Sequence, residues 1–357
     1  MKIAYYITGH GYGHAVRSIE ITDVLTQTFS DTIVHVQTTA PQWLFASLND
    51  RVLFHYAELD FGCLQSNSFS VDKKATLDGY TSLIDKKQER VAREAHFLQA
   101  QNIDLVLSDI TPFAFDAAKQ AGIPGIAIGN FSWDWIYQAF LDDYPDYHFV
   151  VDDIRSSYAK ADKLFRLPFY GDLSAFSPIE DVPLVGRKAK TPRQKIREQL
   201  GVEPSDKKLV LLGLRTRDMN HVNWNQVESF DHTSFIAVSR DIPLKNISHL
   251  TEGDLPFQDV LNACDAVITK PGYSIVSEII TNQTPVVYIP RRDFAEDPIL
   301  VQALENYAVC EPLSQKEFAA GQWEQAFTRL LQKPQNWPPI RTDGAMVLAE
   351  KIHSFFG

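Results

Sequence analysis

Hydrophobic positions along the chain fall into two repeating kinds. Short runs rich in branched residues, at 3–7, 33–36, 52–56, 105–107 and 126–128, are bounded by Gly, Pro, Asp or Asn and predict strands. Longer mixed stretches between them, 15–27 and 83–100, predict helices. Strands that are nearly continuous in apolar residues and alternate with helices predict a parallel sheet covered on both faces. After a basic, proline-bounded stretch at 183–192, the style resumes. Strands are predicted at 209–212, 235–238, 266–269 and 286–289, with helical pieces at 258–263 and 275–280. An amphipathic helix at 345–355, with Val347, Leu348, Ile352, Phe355 and Phe356 as its apolar members, closes the chain. The prediction is α/β, with two doubly wound Rossmann-like domains facing across a cleft. Residues 1–182 form the first, 183–192 a linker and 193–340 the second, while the helix within 341–357 returns to the first domain.

Composition agrees with this and removes some functions. A chain of 357 residues with 45% hydrophobic content can bury two sizeable cores. Its formal net charge of -11 argues against a nucleic-acid backbone as partner. Cys63, Cys264 and Cys310 lie far apart without metal-site spacing, which predicts buried thiols in a reducing compartment. The apolar start, Met1 to Ile7, is too short for a secretion signal, and no stretch is long enough to span a membrane. A cytoplasmic protein is the expectation.

In doubly wound sheets, ligands sit beyond the carboxyl ends of the strands, so the loops there carry the candidate chemistry. The first is Gly9-His10-Gly11-Tyr12-Gly13-His14, between a strand and a helix. Gly11 and Gly13 allow a ligand close to the backbone, and the helix start favours negative charge. His14 stands where a dinucleotide fingerprint needs glycine, and no P-loop lysine follows. An imidazole there can take a proton from an attacking hydroxyl, with His14 preferred and His10 second. Asp109, ending a strand of the same half, can orient that imidazole if the two strands are neighbours; capping the helix near Pro112 is its equal alternative. In the second half, Lys270, Gly272, Tyr273 and Ser274 open a helix after a strand, a place suited to a diphosphate. Glu278 lies about one turn inside that helix, where it can accept ribose hydroxyls; the alternative, which the loop taken alone favours, is a plain strand–helix joint with Ser274 as cap and Glu278 solvated. Glu296 and Asp297, after the next strand, can meet sugar diols, or form a plain surface salt network with Arg291 and Arg292. Asn130, Trp133 and Asp134 belong to an aromatic cluster at 130–137 that serves either an acceptor or the core.

These motifs, in this order, resemble the GT-B glycosyltransferases of the MurG-like branch. A closer similarity is to the glycosyltransferase-like N-terminal region of plant L-arabinokinase. It extends through Arg166-Leu167-Pro168 and Arg291-Arg292-Asp293-Phe294 over about the whole chain. The GHMP-type kinase domain of that enzyme is not expected here. The resemblance implies an inverting, metal-independent transferase that moves a sugar from a nucleotide diphosphate sugar, UDP-linked, to an unidentified acceptor hydroxyl, with no cofactor. His14 would deprotonate the acceptor, Asp109 would orient His14, and Glu278 would hold the ribose. Glu296 and Asp297 would approach the donor sugar. The glycine-rich turn expected after the first strand of the second half is replaced by Leu212-Gly213-Leu214-Arg215, so Arg215 would meet the diphosphate. Two alternatives stay open: a nucleotide-sugar 2-epimerase, and a non-catalytic nucleotide-sugar-binding regulatory protein.

Overall fold

The computed structural model describes residues 1–67, 70–202, 207–228, 230, 232–238, 242–251, 253–291 and 294–355, with the side chains of 66 and 67 excepted. Arg292, Asp293 and Phe356 therefore lie outside the described residues.

Two sheets, both wholly parallel, organise the chain. The first has seven strands in the spatial order Val52–Tyr56, Ile33–Thr38, Lys2–Ile7, Leu105–Asp109, Gly125–Gly129, Lys163–Arg166 and Ile179–Asp181. The second has six, ordered Ile247–His249, Thr233–Ala237, Lys208–Gly213, Ala266–Thr269, Val286–Tyr288 and Cys310–Pro312. In each, the earliest strand sits inside the sheet and the chain winds outward on both sides of it. That leaves a switch point beside the first strand, where loops diverge and a crevice opens. The switch point of the first sheet lies between Lys2–Ile7 and Leu105–Asp109, with Ile7 opposite Asp109. In the second sheet it lies between Lys208–Gly213 and Ala266–Thr269, with Gly213 opposite Thr269.

Burial follows the strand pattern. Leu105, Val106 and Leu107 are buried, as are Ala266, Val267 and Ile268, because helices cover both faces. The stretch predicted as one helix over 83–100 is two, Lys73–Ile84 and Lys87–Ala100. The break at Asp85–Lys86 lets Leu77, Tyr80 and Leu83 of one and Val91 and Leu98 of the other enter the same core. The strands at Lys163–Arg166, Ile179–Asp181, Ile247–His249 and Cys310–Pro312 escape the prediction because each mixes polar residues into three or four positions, whereas the equally short Ala266–Thr269 and Val286–Tyr288 consist almost wholly of branched or aromatic residues.

The halves share a hydrophobic core. It runs from Ile3 and Ile19 of the first half through Leu184 and Val185 to Val276 and Ile279 of the second. Within 183–192 the chain is extended and anchored. Leu184 donates its backbone N–H to Arg341 at 3.1 Å, and Ala189 donates to the Asn282 side chain at 2.8 Å. The closing helix, Gly344–Ser354, lies on the Tyr12–Thr28 helix of the first half. Leu348 and Ile352 are buried there, and His353 stacks on Phe29, whereas Phe355 is exposed and outside the apolar stripe. Cys63, Cys264 and Cys310 are free, buried thiols.

Candidate active site

The Tyr12–Thr28 helix begins immediately after the first strand, with Gly11 as its N-cap residue at φ 76° and ψ 167°. That conformation is open to glycine and costly for other residues. It turns the chain sharply enough to put His14 in the first turn, above the end of the neighbouring strand. There Asp109, wholly buried, accepts a hydrogen bond from His14 Nδ1 at 2.7 Å. The carboxylate does not cap the following helix, Phe113–Ala121, which has no side-chain cap.

Two more donors meet the same carboxylate, and neither was singled out in the sequence. Arg17 donates from Nε to Oδ2 and from Nη2 to Oδ1, both at 2.5 Å, and Ser18 donates its hydroxyl to Oδ2 at 3.0 Å. The signal was present: Arg17 stands three residues after His14, one turn along the same helical face. Burial pushes the Asp109 carboxyl up, but the charges and hydrogen bonds of Arg17 and His14 outweigh it and hold it at about 2. An ionised carboxylate only accepts, so the proton of this pair lies on His14 Nδ1. That leaves Nε2 as the basic nitrogen, and among the described residues no hydrogen bond engages it. His10 is different. Burial, then the nearby charges of His14, Arg291, Arg215 and Arg217, lower its pKa to about 3. It stays uncharged at neutral pH, packed edge-on against Trp133.

The second-half helix, Tyr273–Asn282, starts against this loop. Ser274 donates its hydroxyl to the Gly13 carbonyl at 2.5 Å, and the Tyr273 ring lies under the Arg17 guanidinium, 5.1 Å from ring centre to Cζ. A side chain at Gly13 would bring its Cβ within 3.2 Å of Ser274 Oγ, so the glycine permits this docking. Gly272, the N-cap residue, has φ −135°, an ordinary extended conformation. The two loops chosen independently from the sequence thus adjoin.

Cations line the same place. Arg215 lays its guanidinium over the Tyr12 ring, 4.7 Å from its centre. Lys270 pairs with Asp218 at 3.1 Å; burial lowers its pKa, and Asp218 opposes that shift. Arg291 binds Asp297 twice, through its backbone N–H at 2.8 Å and Nε at 2.7 Å, and lies over the Phe294 ring, while its buried Nη2 has no hydrogen-bond partner among the described residues.

The remaining expected residues separate into three groups. Glu278 is buried and accepts from Arg187 Nε at 2.5 Å; burial raises its pKa against that pairing. Glu296 reaches across to the first half, where Asn130 donates its amide N–H to Oε1 at 2.7 Å. Asn130 also accepts from Arg17 Nη1 at 2.6 Å, which ties it to His14 and Asp109. Trp133 and Asp134 depart from the acceptor-side expectation. The Trp133 ring is enclosed by Phe131, Tyr137 and His10, with Nε1 donating to Asp60 at 3.3 Å, so it packs as core. Asp134 accepts from Arg155 at 3.1 Å on the helix behind it.

Comparison with known proteins fits this geometry. Residues 1–152 match the family model described as glycosyl transferase family 1. L-Arabinokinase of Arabidopsis thaliana is 32% identical over 333 residues, which is 90% of this chain and 31% of that protein. The chain thus spans about a third of that relative's length. Among solved structures, the glycotransferase of kitacinnamycin superposes with a TM-score of 0.66 at 14% identity, covering 99% of this chain and 98% of that one. Phytolacca americana UGT2, solved with UDP-2-fluoro-glucose and pterostilbene, superposes with a TM-score of 0.61 at 14% identity, covering 99% and 93%. Two parallel sheets with adjoining loops at both switch points, and superpositions over nearly the whole chain, give it the fold of these glycosyltransferases, and its residues 1–152 are similar to glycosyl transferase family 1.

Proposed function

We propose that the protein transfers a sugar from a nucleoside diphosphate sugar, UDP-linked, to an acceptor hydroxyl, with inversion at the anomeric carbon. The observation that carries this is the His14–Asp109 pair at 2.7 Å, seated against the start of the Tyr273–Asn282 helix. His14 Nε2 takes the proton of the acceptor hydroxyl as its oxygen forms a bond to the anomeric carbon. On the opposite face, the bond from that carbon to the diphosphate oxygen breaks, and the electron pair leaves with the diphosphate. Asp109 keeps the proton of the imidazole on Nδ1 and stabilises the imidazolium that forms.

The leaving diphosphate carries negative charge, and the chain's own groups suit it. The Tyr273–Asn282 helix start, Lys270, Arg215 and Arg291 surround one region, which supports departure without a metal ion. Glu278, neutralised on one oxygen by Arg187, is assigned the ribose hydroxyls. Asp297 is held by Arg291 beside Glu296, which is assigned the donor sugar. Gly11, Gly13, His10 and Asn130 form the acceptor side.

His14→Ala tests this directly. With a panel of UDP-sugars and hydroxyl acceptors, the wild type is expected to form glycoside. The variant is expected to lose roughly 10²–10⁴-fold in kcat while still binding the nucleotide. Equal turnover by both proteins removes His14 as base. Epimerised UDP-sugar formed without acceptor would replace transfer by epimerisation, and saturable binding without turnover would leave a regulatory role.

A further inference from the structure

A base oriented by a carboxylate needs only that carboxylate. Here a guanidinium also sits on that carboxylate, and Arg17 Nη2 lies 3.1 Å from His14 Nδ1. Neutralising a buried Asp109 accounts for two of the bonds of Arg17. It does not account for the third, from Nη1 to Asn130, or for what lies beyond it. Asn130 accepts from Arg17 on Oδ1 and donates from Nδ2 to Glu296 at 2.7 Å, with a longer bond at 3.4 Å to the Phe169 carbonyl of its own half, so its amide orientation is specified at both ends. Turning the amide over would set donor against donor and acceptor against acceptor. Glu296 belongs to the second half, as does Tyr273 under the guanidinium. Asp109, Arg17, Asn130 and Glu296 are all at least 96% buried, so water does not supply substitute bonds cheaply.

We propose that Arg17 is a positioning residue that makes the order of the His14–Asp109 pair depend on the docking of the two halves. Its planar fork clamps Asp109 so that Oδ1 faces His14 Nδ1. Its third arm, through Asn130, reports whether Glu296 is in place. Where Glu296 and Tyr273 are displaced, Asn130 keeps only its longer Nδ2 bond, to the Phe169 carbonyl at 3.4 Å, the guanidinium loses the Tyr273 ring, and the carboxylate is freer to turn away from the imidazole. The purpose of such coupling rests on the transferase reading: the base would be in order only where a donor is held opposite it. The coupling itself concerns the pair alone.

The test needs no substrate. In the ¹⁵N-labelled full chain, the Nδ1-bound proton of His14 is assigned by its loss in His14→Gln, and its exchange with water is measured. Glu296→Ala removes the anchor from the far half without touching Arg17, Asp109 or His14. Arg17→Lys keeps a cation beside Asp109 but replaces the fork by a point charge. Each variant is expected to exchange this proton at least about tenfold faster than the wild type, with its melting cooperativity kept. Where transfer can be assayed, kcat is expected to fall in Arg17→Lys with donor KM unchanged. Wild-type exchange in Glu296→Ala overturns the coupling, and full rescue by Arg17→Lys reduces Arg17 to a neutralising charge. Absence of turnover in the wild type would count against the transferase reading and leave these exchange rates as they are.

Discussion

A carboxylate sealed from water stays ionised only where cations and donors replace the lost hydration, and Asp109 shows the consequence. Arg17 and His14 together overcome the burial that would protonate it. Because folding lowers this pKa, the stabilisation is complete above the unfolded value of about 4 and is lost as pH falls towards about 2. Asp109→Asn should destabilise the fold by about 3–5 kcal/mol at neutral pH, since it leaves Arg17 buried without its counter-charge. In denaturant titrations, the gap between wild type and variant should shrink between pH ~4 and ~2; a gap independent of pH would mean that the charge of Asp109 is not what matters. Trp133 belongs to the same scale. As a core ring, Trp133→Ala should cost about 3–5 kcal/mol of stability, whereas an acceptor platform would show itself in acceptor KM with stability near wild type. From the sequence, His14 stood out by its glycine-rich loop after the first strand, and Asp109 because it ends a strand of the same half. Arg17 did not, because an arginine on a helix is ordinarily solvated.

At the level of elements, the two site loops are legible because each joins a strand end to a helix start with glycine between. The Gly11 conformation shows why that glycine is required: at φ 76° and ψ 167° a Cβ is strained. Gly11→Ala should therefore lower stability by about 1–3 kcal/mol and displace the helix start that carries His14; a crystal structure with His14 unmoved and an unchanged melting temperature would contradict this. The long central strands were readable from their branched residues. The short outer strands such as Ile179–Asp181 and Cys310–Pro312 were not, because their few residues mix polar with apolar and gain their pairing only from a sheet that already exists. The break at Asp85–Lys86 was equally hidden, since helix-forming residues continue through it, and only the core inside decides where one helix stops and the next begins.

In the whole molecule, the closing helix joins what the chain order separates. Leu348 and Ile352, reached only after the second sheet is complete, are buried on the Tyr12–Thr28 helix that carries His14. Leu348→Ala should cost about 2–5 kcal/mol, and amide exchange should accelerate in Tyr12–Thr28 as well as in Gly344–Ser354. Acceleration confined to the closing helix would show that the first half does not depend on this contact. By itself, the sequence determined the α/β class, the two windings, the glycine turns and the residue types able to move a proton or hold an anion, because these follow from local periodicity and side-chain chemistry. Only the tertiary structure decided which carboxylate meets which cation: that Asp109 takes Arg17 as well as His14, that Glu278 pairs with Arg187, and that Glu296 crosses to Asn130. Those choices depend on contacts between residues far apart in the chain, and no local pattern records them, since a buried charge takes whatever partner the packing brings within reach.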